Sequence, residues 1–97
     1  MKPNSFSRGI LLSFATCKQL EEADVSMQDS ANRAWFELCD MMKKAAEYCP
    51  GHLEFSEKVV VAVQAIERLA VKTRPAIRAA VLPEVIGAVN AVLAFYK

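Results

Sequence analysis

Cys49-Pro50-Gly51-His52 is the place in this chain where residue types and spacing could do chemistry together. A thiol and an imidazole three residues apart can supply half of a tetrahedral zinc site, or pair as nucleophile and base. A structural zinc needs two further ligands, and the other cysteines, Cys17 and Cys39, stand on helical stretches without a second close pair. A nucleophilic cysteine needs a third group to orient its base and donors for an oxyanion, and nothing marks either. His52 is the only histidine, which removes most acid and base machinery. The expectation is a turn histidine beside a half-buried thiol, with no metal, no cofactor and no catalytic residue.

The other chemical candidates have equally plain readings. Arg33, Glu37, Asp40, Lys44 and Glu47 recur at helical intervals, with Arg33 and Glu37 and Asp40 and Lys44 as opposite-charge pairs four apart, so these carboxylates belong to a solvated face rather than to a paired-carboxylate active site. Arg68, Lys72, Arg74 and Arg78 form a basic set, but it is small, lacks interleaved aromatics and sits in a chain with 12 Lys and Arg against 11 Asp and Glu. Attraction to nucleic acid is not expected. Glu21, Glu22, Asp24 and Asp29 make an acidic counterpart that could align a partner or a second copy. No glycine-rich phosphate loop exists, and Gly87 reads as a close-packing position.

The elements that carry these residues all read as helices. Glycine and proline are few, and no alternation of apolar and polar residues lasts long enough for a strand. Ser7 can cap a first helix over about 8–23, with Phe6 and Leu11 spaced as a hydrophobic staple. Ser26 and Asp29 suggest a capping box for a second helix to about Tyr48, whose stripe is Ala31, Ala34, Trp35, Leu38, Met41, Met42, Ala45 and Tyr48. Pro50 and Gly51 end it. Ser56 caps a third over about 57–73, with Phe55 and Val60 as a second staple and Val59, Val63, Ile66 and Ala70 on its buried face. Pro75 and Pro83 divide the rest of the chain into two pieces, about 75–82 and 83–96.

The closing run, Pro75 to Tyr96, carries only two charges, Arg78 and Glu84, and is apolar nearly all round beyond Arg78. Pro83, Glu84, Gly87 and Asn90 interrupt it, and the remainder is too short to span a bilayer. It lacks the basic face of a surface-bound membrane helix. Lys2 and Arg8 precede a short apolar run at Ile10 to Ala15, but Ser13 breaks it and no small-x-small cleavage site comes after it, so no signal peptide is expected. An odd number of cysteines without framework spacing fits a reducing compartment, and a cytoplasmic location is the expectation.

The fold expected is all-α: one domain over 1–97, an antiparallel bundle of four to five helices with a proline-interrupted last segment, completed by self-association. Hydrophobic residues make up 54% of the chain, and the surplus collects at its end. The function expected is non-enzymatic: a small helical adaptor, chaperone or inhibitor that meets another protein or itself through Val85, Val89, Val92, Phe95 and Tyr96. Neither nucleic acid nor membrane is an expected partner. The alternative is a binder of a small apolar ligand in a pocket between the second and third helices, lined by Trp35, Leu38, Met42, Val63 and Ile66.

Overall fold

A computed structural model describes residues 6–96. Its four α-helices are, in order, α1 (Ser7–Glu22), α2 (Gln28–Glu47), α3 (Leu53–Ala70) and α4 (Pro75–Leu93). Short 3₁₀ turns at Val25–Met27 and Ala94–Tyr96 precede the second and continue the last. No strand occurs among the described residues. Connections of a few residues force neighbouring helices to run antiparallel. Each helix packs on the next, and α4 returns to touch α1, which closes a bundle of 39 × 19 × 19 Å.

The buried face of α2 keeps to the expected stripe, with Ala31, Ala34, Trp35, Leu38, Met42 and Ala45 inside and Cys39 added to them. Trp35 meets Phe14 of α1 at 6.2 Å between ring centroids. Tyr48 lies outside, where it stacks against Phe6 at 5.5 Å. Phe6 therefore packs across the bundle instead of stapling to Leu11, which is exposed. Arg33, Glu37, Asp40 and Lys44 lie on the outer side of α2 and close no ion pairs with each other, as the entropy of long side chains in water allows.

Helix starts differ from the expected ones. Asp24, not Ser26, accepts the backbone N–H at the entry to α2, and the Val25–Met27 turn precedes the helix. α3 begins at Leu53, so Ser56 lies within it and cannot be its cap. Phe55 is completely buried and meets the rings of Phe95 and Tyr96 edge-on at 5.6 and 5.8 Å. That aromatic contact draws the first turn of α3 onto the chain end and releases Val60 to the surface.

α4 is a single helix through Pro83, not two pieces. Proline removes one N–H and leaves the Ala79 carbonyl without its helical donor. Pro83 and Ala79 are both exposed, so that carbonyl is open to solvent rather than buried, and the helix continues. Pro75 sits in the first turn, where its missing N–H removes nothing, and Arg74 before it is extended. Gly87 is also exposed, and a Cβ added there would meet nothing within 4 Å. It is not a close-packing position.

Candidate functional site

Arg78 is the first residue whose placement changes the chemical reading. It is 2% exposed, at the centre of one end of the bundle. Its five N–H groups all have acceptors: Nε bonds Glu21 Oε2 at 3.0 Å, one terminal nitrogen bonds Glu21 Oε1 at 2.7 Å and Asn32 Oδ1 at 2.8 Å, and the other bonds the carbonyls of Leu69 at 3.2 Å and Lys72 at 2.9 Å. Glu21 also accepts from Trp35 Nε1 at 3.1 Å. Burial alone would push the Glu21 carboxyl up, but the hydrogen bonds from Arg78 and Trp35 and the guanidinium charge outweigh it and hold the group below the ordinary carboxylate value.

This network ties all four helices together. No glycine ends α3, and its last carbonyls are capped from outside. Arg78 of α4 takes those of Leu69 and Lys72, while Asn32 and Gln28 of α2 donate to Ala70 at 3.2 Å and Thr73 at 2.9 Å. The basic set of the sequence is thereby divided. Arg78 points inward, and Arg68 pairs on the surface with Glu84 of α4.

A cleft of about 290 Å³ opens beside the clamp, walled by Leu20, Val25, Ala31, Pro75, Ala79 and Leu82, with Glu22 and Asp24 at its rim. Every Arg78 donor is already engaged, so the cleft offers an anion no guanidinium N–H. Cys49 is buried whereas His52, just before α3, is exposed. Among the described residues no three of His, Cys, Asp and Glu are grouped to hold a metal ion. Burial, and then the proximity of Cys39, push the Cys17 thiol up to about 12, and burial pushes Cys39 up to about 11, which leaves both as unreactive thiols. The Tyr96 hydroxyl is buried without a hydrogen-bond partner among the described residues. Its pKa is pushed up to about 12 by burial and then by Cys49.

Val85, Val89 and Val92, expected on a partner-binding face, are completely buried. They are the side of α4 that packs on the bundle, flanked by the half-buried Val81, Leu82, Ile86 and Leu93. Phe95 and Tyr96 are half-buried on Phe55. The outer face of α4 is instead made of Ala76, Ala80, Pro83, Glu84, Gly87 and Asn90. Trp35, Leu38, Met42, Val63 and Ile66, expected to line a ligand pocket, are brought together in the buried core, and none of them lines the cleft beside the clamp.

Large apolar side chains reach solvent at Leu11 and Leu12 of α1, at Val25 and Met27 in the turn after it, at Phe36 and Tyr48, and at Ile77, but the two most exposed belong to the largest set, on α3 and its end. Leu53 is 72% exposed, Val60 53%, Val61 51% and Val71, at the helix end, 73%. Leu53, Val60 and Val61 line a shallow depression of about 450 Å³ together with Ser56 and Glu57. The sequence carries a signal for this face: α3 has apolar residues at 53, 60, 61 and 71 in addition to the set at 55, 59, 62, 63, 66 and 69 that fills its buried side. Assigning Val60 to a staple hid it. The chain matches no family model, no curated protein and no solved structure.

Proposed function

We propose that this chain is a non-enzymatic interaction protein, a small helical adaptor or regulator, whose working surface is the outer face of α3. The observation that carries the reading is the exposure of Leu53, Val60, Val61 and Val71 along one helix. Large apolar side chains exposed on one helix, three of them around one depression, favour a protein partner. The strip is held rigid at both ends. Arg78 and Asn32 cap its last carbonyls, and Phe55 seats its first turn on Phe95 and Tyr96. A preformed surface loses little entropy on association.

A near-neutral charge gives no general pull toward nucleic acid or an anionic membrane, and three buried cysteines suit a reducing, cytoplasmic setting. The test is fluorescence of an apolar dye at nanomolar protein concentration, below any self-association that would cover the face, read for wild type and for Val60→Ser/Val61→Ser. Wild type should enhance the dye and the variant should lose most of the enhancement. A wild type that leaves the dye dark, or a variant that keeps the full signal, overturns the reading.

A further inference from the structure

We infer that the partner of this surface is a second copy of the chain, paired antiparallel through α3 about a two-fold axis near Ala62. The inference rests on the reading of the outer face of α3 as an interaction surface and goes on to name its occupant.

Leu53, Glu57, Val60, Gln64, Arg68 and Val71 are all exposed and lie along one line of the helix, at spacings of three and four. The line is self-complementary. Under a two-fold axis near Ala62, Leu53 of one copy lies on Val71 of the other, Glu57 on Arg68, and Val60 on Gln64. An isologous interface requires this reciprocity, since each contact occurs twice. Parallel pairing would set Glu57 on Glu57 and Arg68 on Arg68, so the charges select direction as well as partner. Arg68 already bonds Glu84 of its own chain, and a guanidinium with five donors keeps others for a second carboxylate. The same two side chains thus serve the fold and the docking surface.

Sedimentation velocity from micromolar to millimolar concentration, with spin-label distances, tests the pairing. Wild type should sediment as a dimer. Glu57→Arg and Arg68→Glu should each weaken it roughly tenfold or more by placing like charges together, and mixing the two variants should restore the dimer. A label on Glu54→Cys, selective because the native cysteines are buried, should report a separation of about 25 Å, set by the rise of 1.5 Å per residue. A wild type monomeric at every concentration overturns the self-pairing, as does a label separation near 10 Å, the spacing of parallel helices. If that monomer still lights the dye through Val60 and Val61, the interaction surface stands and another protein fills it. If the dye also stays dark, both inferences fall.

Discussion

Arg78 shows how a charge becomes structural when every proton it carries is spoken for. Removing one partner of a buried pair leaves an uncompensated charge, so Arg78→Met should destabilise the protein by about 3–5 kcal/mol, a large part of the stability of a small domain. In many proteins replacing both partners by apolar residues recovers the loss. Here Arg78 also caps the Leu69 and Lys72 carbonyls and holds Asn32, and Glu21 holds Trp35 Nε1. Glu21→Met/Arg78→Met should therefore stay well below wild type in urea unfolding, because several buried polar groups would lose their partners at about 1–3 kcal/mol each. A double variant as stable as wild type would show that the caps contribute nothing. Glu21 also gives the fold a pH dependence. Its folded pKa lies below the ordinary value of 4.5, so the pair contributes fully above that value, and its contribution is lost as pH falls through the depressed one. Stability measured from about pH 5 downward should fall more steeply for wild type than for Glu21→Gln, and parallel curves would remove Glu21 from the acid transition.

At the scale of elements, the helices that were legible in the sequence are those whose two faces differ. α2 alternates a bulky apolar stripe with charges, so most of its buried residues could be read from spacing, with Cys39 added and Tyr48 lost at the helix end. α4 could not be read this way: its apolar residues lie on every side, and only bulk distinguishes Val85, Val89 and Val92 from the exposed alanines. Capping signals failed for a related reason. Ser56 and Phe55 look like a helix start, but the aromatic contact of Phe55 with Phe95 and Tyr96 is long-range and leaves no mark in local sequence. The Arg78 clamp was equally hidden, because its acidic partner stands 57 residues away. The exposed positions of α4 offer a direct check. Gly87→Ala adds a Cβ into open space in mid-helix and should stabilise by roughly 0.5–1 kcal/mol, a rise in Tm of a few degrees. Pro83→Ala restores a donor to the Ala79 carbonyl and should also stabilise, by up to about 3 kcal/mol. Loss of stability in either variant would mean that the outer face of α4 is packed against something.

For the molecule as a whole, the open question is what keeps α4 in the bundle. Pro75–Tyr96 is long and apolar enough to cross a membrane by composition, and little of its most apolar stretch is buried. Its valines hold one side to the other helices, but alanine and glycine on the outside give water little reason to reject it and lipid little reason to refuse it. Arg78 decides between them. It stands in the first turn of this segment, where a guanidinium reaches the interface at a cost below the roughly 2.5–3.5 kcal/mol of a central one. In the bundle, however, every one of its donors is met and a carboxylate faces its charge, and insertion would break all of these bonds. One residue thus ties α4 to the bundle, chiefly by lowering the energy of the folded alternative. Wild type should stay at the bottom when neutral vesicles are floated through a density gradient. Arg78→Leu removes the charge and the clamp at once, and should move with the vesicles to a measurable extent. Ile77→Leu, an apolar change one residue earlier at an exposed position, should not. Wild type that floats, or an Arg78→Leu variant that stays fully behind, would show that the buried arginine is not what commits the helix to the bundle.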